Sequence, residues 1–171
     1  MNKRRHLGDF YQQHYQTGVG AEIGCLRGEF SRFLSTRYKG KILCVDYFGD
    51  ELDISYGSDI EKKCRANLKG TNCEIIKGMS VEVAKTVPDE SLDWIYIDAD
   101  HRYEGVRADL EAWFPKVRKG GVVSGHDYVK YAIDNYVFGV IEAVDEFCAK
   151  HGYELEELLD ARRFASWYFI K

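Results

Sequence analysis

Two groups of acids and histidines stand close together along the chain: Asp98, Asp100 and His101 in one, His126 and Asp127 in the other. Each follows an apolar run that reads as a strand, Leu92 to Ile97 and Val122 to Ser124. Neighbouring parallel strands lie roughly 4.8 Å apart, so side chains at their ends face one another across a cleft. Carboxylates and imidazoles converging in this way can hold a divalent cation, magnesium where oxygen ligands dominate. A second set suits an organic ligand. Glu22, Gly24 and Gly28 gather at the end of the run Val19 to Ile23, and Asp46 ends the run Ile42 to Val45. Gly24 permits a tight turn, and Gly28 lets the following helix press close to whatever the turn holds. An ionised Asp46 can accept two hydrogen bonds from vicinal ribose hydroxyls. The turn carries two glycines where the dinucleotide fingerprint has three. Glu22 would repel a pyrophosphate but can meet an ammonium group, directly or through water. That combination favours a cationic, phosphate-free cofactor, although alone it is equally compatible with a plain strand-to-helix turn.

These residues need a scaffold, and the apolar pattern describes one. Leu7, Phe10, Tyr11 and Tyr15 recur at helical spacing before Thr17-Gly18, so residues 1–18 read as an N-terminal helical segment and 19–171 as the main domain. After the first strand, Phe30, Phe33 and Leu34 mark a helix that breaks near Lys39-Gly40. After the second, Ser58 and Glu61 form a capping box for a helix with Ile60, Cys64 and Leu68 on one face. Cys73 to Ile76 is a third strand, and Gly78-Met79-Ser80 turns from it into a short helix. The fourth strand is Leu92 to Ile97. Val106, Leu110, Trp113, Phe114 and Val117 then form a helical stripe that Pro115 kinks or ends. Glu104, Arg107 and Asp109 read as the solvated face of that helix. Lys119-Gly120-Gly121 reads as a tight turn into the fifth strand, and Val140, Val144, Phe147 and Cys148 mark a last helix stopped at His151-Gly152. Tyr153 to Leu159 and Phe164 to Ile170 leave no room for a helix between them and predict an antiparallel hairpin.

Strand and helix alternate five times, and the early strands are continuously apolar. Such strands are covered on both faces, which predicts a doubly wound, Rossmann-like α/β fold. Its mostly parallel seven-stranded sheet would carry helices on both faces and a C-terminal antiparallel hairpin. Ligands in such sheets bind outside the carboxyl ends of the strands, where the chemically suggestive residues stand.

The sequence also resembles a known family. The stretch AEIGCLRGEFSRFL is similar to motif I of class I methyltransferases. The longer stretch SLDWIYIDADHRYEGVRADLEAWFPKVRKGGVVSGHDY resembles the subfamily that groups with macrocin-type sugar O-methyltransferases and, more distantly, with catechol O-methyltransferase. The likeness runs from about Val19 to the C-terminus. It implies S-adenosylmethionine as cofactor, with Glu22, Gly24 and Gly28 in the cofactor turn, Asp46 on the ribose, Gly78-Met79-Ser80 bordering the adenine and Asp98 at the inner edge of the site. Leu26 departs from the glycine found there in many methyltransferases. The resemblance further implies a metal held by Asp98, His126 and Asp127. An acid or amide is usual at the position of His126, and an imidazole there tilts the preference from Mg2+ toward Mn2+. His101 matches a position carrying a lysine in the catechol enzyme and a histidine in some sugar enzymes, which makes it the candidate general base. Asp100 is the alternative base, or orients His101, or caps the following helix.

Composition narrows the partners. With 171 residues, 45% apolar and 30% charged, the chain suits one globular domain. The net charge is −4 and basic residues are dispersed, with Lys3-Arg4-Arg5-His6 a short solvated run, so a nucleic-acid partner is not expected. No apolar run approaches the roughly 18 residues of a membrane span. No apolar h-region follows the basic N-terminus, so no membrane association, no signal peptide and a cytoplasmic location are expected. Cys25, Cys44, Cys64, Cys73 and Cys148 are odd in number and unpaired in spacing, and read as small hydrophobes rather than a disulfide or zinc framework. His6, His14 and His151 read as structural, and Trp113-Phe114 as core.

The Tyr-rich loop from Tyr128 to Phe138, with Lys130 and Asn135, would hang over a small-molecule or glycan acceptor. The opening helix is short for a substrate lid, which leaves a homodimer partner to supply one, or an acceptor that is large and exposed. Three rival functions remain distinguishable. An NAD(P)-dependent oxidoreductase would bind a dinucleotide and leave Asp98 and Asp127 unused. A non-catalytic cofactor-binding subunit would keep Glu22 and Asp46 but not need His101. A metal-dependent hydrolase would leave Glu22 and the glycine turn without a role.

Overall fold

The computed structural model describes residues 4–49, 59–158 and 165–171. The chain opens with α1 (Arg4–Tyr15), β1 (Val19–Ile23), α2 (Glu29–Ser35), β2 (Lys41–Asp46) and α3 (Ile60–Leu68). Next come β3 (Cys73–Lys77), α4 (Ser80–Ala84), β4 (Leu92–Ile97) and α5 (Tyr103–Trp113). It closes with β5 (Val117–Gly125), β6 (Ala132–Ile133), β7 (Tyr136–Val137), α6 (Val140–His151), β8 (Glu156–Leu158) and β9 (Ser166–Ile170). Seven strands form one sheet in the order β3-β2-β1-β4-β5-β9-β8. β1 to β5 run parallel, while β9 is antiparallel to both β5 and β8. The doubly wound fold expected from the alternation is the one observed. Strand order reverses between β1 and β4, so the carboxyl ends of β1, β2, β4 and β5 open onto one crevice.

Side-chain alternation explains the two layers. Ala21, Ile23, Val45, Ile95, Ile97 and Val123 point to one face, where Val106, Leu110 and Trp113 of α5 and Val140 and Val144 of α6 cover them. Ile42, Cys44, Trp94, Tyr96 and Val122 point to the other, under Leu7 and Tyr11 of α1, Leu34 of α2, and Cys64 and Leu68 of α3. Every residue of β4 is buried, as a central strand covered on both faces requires. α1 docks through Tyr11, whose ring lies 4.2 Å from that of Trp94 and nearly parallel to it. A buried pair of this kind contributes about 1 kcal/mol beyond its area burial. The Tyr11 hydroxyl meets Ser124 Oγ at 2.7 Å, fixing α1 against β5. All five cysteines are free thiols and four are buried, as their reading as small hydrophobes predicts.

Several details differ from the expectations. β5 begins at Val117, so Lys119-Gly120-Gly121 lies inside the strand rather than before it. The register against β4 jumps there, from Leu92 opposite Val117 to Trp94 opposite Val122. The bulged residues find backbone partners in the C-terminal residue: Gly120 N–H donates to the Lys171 carbonyl and Lys171 N–H to that of Gly121. α5 ends at Trp113 and tightens into a 3-10 turn over Phe114–Lys116 at Pro115, as expected. Asp109 does not belong to a solvated face. It is 4% exposed, because α5 turns it toward α4 instead of outward. Within the expected loop after β5, residues 132–137 pair as a short hairpin. Ser58 of the anticipated capping box lies outside the described residues, and Glu61 pairs with Arg65 and Lys77. Leu159 and Phe164, at the inner ends of the C-terminal hairpin segments, also lie outside them. Among the described residues no helix is long and apolar enough to cross a membrane.

Candidate functional site

The turn after β1 winds through three left-handed residues, Gly24 at φ 88°, Leu26 at φ 48° and Gly28 at φ 72°. At Gly24 the requirement is twofold, since a Cβ there would also lie 2.2 Å from the Asp98 carbonyl oxygen. Only glycine lets the ends of β1 and β4 touch in this way. Gly28 starts α2 with the same constraint: a Cβ would sit 2.9 Å from Leu68 Cγ. Leu26 adopts the conformation that glycine provides elsewhere, so its departure from the familiar pattern leaves the path of the turn intact.

Asp46 ties this turn to β2. Its Oδ2 accepts the Leu26 N–H at 2.7 Å, and its Oδ1 accepts the Phe48 N–H at 2.8 Å. A carboxylate offers about four lone-pair sites, so acceptor capacity remains for hydroxyls. Glu22 lies deeper, 2% exposed, and accepts the hydroxyl of Ser31 from α2. It underpins the turn from behind and joins the strand to the helix that the turn begins. Sequence reasoning missed Ser31, which nothing but its burial beside an acid distinguishes.

On the far side of β2, the Gly78 N–H donates to the Asp46 carbonyl at 2.9 Å. Met79 precedes α4 and is 55% exposed. Ser80 turns the other way. Its hydroxyl accepts Trp113 Nε1–H at 2.8 Å and donates to the Asp109 carboxylate. Burial drives the Asp109 carboxyl up to about 6, the Ser80 hydrogen bond only partly opposing it.

The acids and histidines do converge. His101 Nε2 lies 2.9 Å from Asp127 Oδ2 and 3.4 Å from Asp98 Oδ1. His126 Nδ1 lies 2.8 Å from Asp127 Oδ1 and 3.8 Å from Asp98 Oδ1. Asp98, His101 and Asp127 each offer a ligand atom, and these lie within 4.8 Å of one another. His101 therefore joins the residues placed to hold a cation, beside the Asp98, His126 and Asp127 set implied by resemblance. Asp127 is held at φ 57°, a left-handed conformation uncommon for a residue with a side chain. A cavity of about 10 Å³ is lined by Asp98, Asp100, His101 and His126, among others. Two carboxylates and the His101 imidazole form a donor set that suits a divalent cation of the manganese or magnesium type.

Electrostatics bind the cluster together. Burial pushes the His101 imidazole down, but its hydrogen bonds to Asp127 and Asp98 outweigh this and raise it to about 9. Burial pushes Asp127 up, and the hydrogen bonds from His101 and His126 carry it well below the usual carboxylate range. Asp100 faces elsewhere. Its carboxylate accepts the Arg102 backbone N–H at 3.0 Å, Arg102 Nε at 2.9 Å and the Tyr136 hydroxyl at 3.0 Å. It stands two residues ahead of Arg102, the N-cap of α5, and its carboxylate is engaged by Arg102 and Tyr136. Tyr136 and Phe138 from the post-β5 hairpin also border the site, and the tyrosine-rich composition of that loop was their only signal in the sequence.

A family model described as a methyltransferase domain matches residues 21–128. The chain is 31% identical over 81 residues to an uncharacterised protein of Sinorhizobium fredii, which is 46% of this chain and 9% of that relative's length. The O-methyltransferase from Bacillus cereus, solved in complex with SAH, superposes with a TM-score of 0.71 at 19% identity, over 97% of this chain and 81% of that one. A precorrin-6y C5,15-methyltransferase from Geobacter metallireducens gives a TM-score of 0.69 at 17% identity, over 98% and 87%. At these identities the structural likeness is one of fold.

Proposed function

This chain belongs to the methyltransferase-domain family, the class I S-adenosylmethionine-dependent methyltransferases, and we propose that it methylates a hydroxyl of a small molecule or glycan with help from a divalent metal. The observation that carries the reading is the meeting of Asp98, His101, His126 and Asp127 at the mouth of the same crevice that Gly24, Gly28 and Asp46 line. An NAD(P)-dependent oxidoreductase or a non-catalytic cofactor-binding subunit would leave that cluster without work.

In this reading the turn from Gly24 to Gly28 seats the cofactor and Asp46 accepts its ribose hydroxyls. Met79 lies along the adenine. Glu22 holds the turn from beneath through Ser31. The cofactor, when bound, would supply an electrophilic methyl carbon on a sulfonium, with the thioether as the group that leaves. Asp98, Asp127 and His126 would hold the metal, which supplies positive charge beside the acceptor hydroxyl. His101 takes the hydroxyl proton at Nε2 once it has released its own. Holding the reactants in line contributes much of the rate gain.

A second assignment exchanges the two histidines, favoured by the compact grouping of Asp98, His101 and Asp127. His101→Ala and His126→Ala separate the two: the ligand's replacement removes metal binding, the base's replacement removes turnover alone. The first experiment is calorimetric titration with S-adenosylmethionine, and separately with NAD, each with and without Mg2+ or Mn2+. Binding of S-adenosylmethionine alone directs the search to hydroxyl acceptors, beginning with sugars and catechols. Binding of NAD, or of neither, refutes the proposal.

A further inference from the structure

The β6–β7 hairpin grips His101 from three directions. The Tyr136 hydroxyl accepts the His101 backbone N–H at 3.0 Å. The Gly139 N–H donates to the His101 carbonyl at 2.8 Å. The Phe138 ring stacks on the imidazole, with centroids 4.8 Å apart and planes 18° from parallel. The grip is itself braced. Tyr131 and Tyr136 stand edge-on to Phe138 at 5.1 and 5.7 Å. The Tyr136 hydroxyl donates to Asp100, which Arg102 holds through its backbone and guanidinium. Gly139 is pressed so closely onto Tyr103 at the start of α5 that a Cβ would lie 2.5 Å from the Tyr103 Cβ.

These contacts govern a single degree of freedom. An imidazole on a fixed backbone still turns about its side-chain torsions, and χ2 of histidine is broad. Stacking on Phe138 restricts that rotation, and the main-chain bonds at N–H and C=O fix where the side chain starts. The result is Nε2 directed at Asp127 and Asp98. We infer that Tyr136 and Phe138 are positioning residues that hold the His101 imidazole against the two acids, so that the post-β5 hairpin sets the geometry of the reacting cluster. The chemical role of that cluster rests on the proposed function. The positioning itself rests on the contacts alone.

The test compares Tyr136→Phe, which keeps the ring and removes the hydroxyl, with Phe138→Leu, which keeps apolar bulk and removes stacking. Two quantities are read in the full chain: the His101 ring N–H resonance in the metal-free protein, and Mn2+ affinity by calorimetry. In wild type the ring N–H is expected to appear downfield and exchange slowly, as an imidazole held on a carboxylate does. Both variants should lose or broaden it, and where His101 rather than His126 is the metal ligand they should also weaken Mn2+ binding roughly 10-fold, the scale for removing a residue that orients a ligand. Affinity for S-adenosylmethionine should change little. An unchanged ring signal in both variants overturns the inference. So does a loss of S-adenosylmethionine affinity in step with the loss of the ring signal, which marks a merely structural role. Should one variant fail to fold, the other decides. If wild type binds no Mn2+ or Mg2+, the metal assistance of the proposed function fails, and the ring resonance alone decides the positioning.

Discussion

The Asp46 carboxylate and the Leu26 backbone N–H meet at 2.7 Å, joining the end of β2 to the turn after β1. With Phe48 N–H on its other oxygen, one acid orders two loops before any ligand arrives. Asp46→Asn replaces one of those acceptors with an NH2 group facing an N–H donor. Hydrogen bonds to charged groups contribute about 1.5–3 kcal/mol, so affinity for S-adenosylmethionine should fall roughly 10- to 100-fold. Calorimetry checks this, and an unchanged affinity would remove Asp46 from the cofactor site.

Two left-handed positions of the turn, Gly24 and Leu26, should respond unequally to substitution. Gly24→Ala adds a Cβ at φ 88° with the Asp98 carbonyl oxygen 2.2 Å away, and should destabilise the chain by roughly 3 kcal/mol or more. Leu26→Gly relaxes a side chain held at φ 48°, and the relief is set against greater freedom of the unfolded chain, so stability should move by less than about 1 kcal/mol. Urea unfolding of both variants measures the contrast. Equal destabilisation would show that this backbone path is not what the glycine provides.

Much of this site was legible because parallel strands announce themselves. The runs ending at Ile23, Val45 and Ile97 are apolar apart from Glu22 and Asp93, and their ends locate the crevice without knowledge of packing. The ends also gave the acids, since a carboxylate directly after a buried strand stands out. What stayed hidden depends on rotation and on distance along the chain. Asp109 shares a sequence neighbourhood with the exposed Glu104 and Arg107, and only the rotation of α5 onto Ser80 and Trp113 separates them. Tyr136 reaches His101 across 35 residues through a loop that carries no periodic signal. The bulge at Gly120-Gly121 read as a turn because its partner, Lys171, is the last residue of the chain.

Metal binding should compete with protonation of His101. Its imidazole, raised to about 9 by Asp127 and Asp98 against the effect of burial, carries a proton at neutral pH. A cation entering the cluster displaces that proton or loses the two carboxylates' full attention to it, so binding releases protons. Apparent Mn2+ affinity should therefore climb up to about 10-fold per pH unit between pH 7 and 9 and then level off. The metal-free protein should show the converse. The ion pair stabilises the fold fully below the ordinary histidine pKa, and that contribution, at most about 3 kcal/mol, is lost as pH rises through about 9. Chemical unfolding of the metal-free chain from pH 6 to 10, beside His101→Gln, tests the second statement. Stability curves that run parallel would rule it out.

Asp109 makes the opposite kind of demand on the fold. Burial lifts its carboxyl to about 6, so between pH 4 and 6 the folded chain keeps a proton that the unfolded chain has released. Stability from this group is therefore complete below about pH 4 and declines as pH rises through 6, by about 3 kcal/mol in all. Asp109→Asn is nearly isosteric and its amide oxygen can still accept the Ser80 hydroxyl, so it removes the titration while leaving the link through Ser80 to Trp113. The variant should gain stability over wild type as pH rises from 4 to 7 and be the more stable of the two at neutral pH. Apart from Asp100, which feels the Asp109 charge, the other carboxylates titrate alike in both chains, so the difference between their unfolding free energies chiefly reports this one group. A difference that stays constant across that range would mean that Asp109 ionises as readily in the folded chain as in the unfolded one, and that its burial between α4 and α5 imposes no penalty.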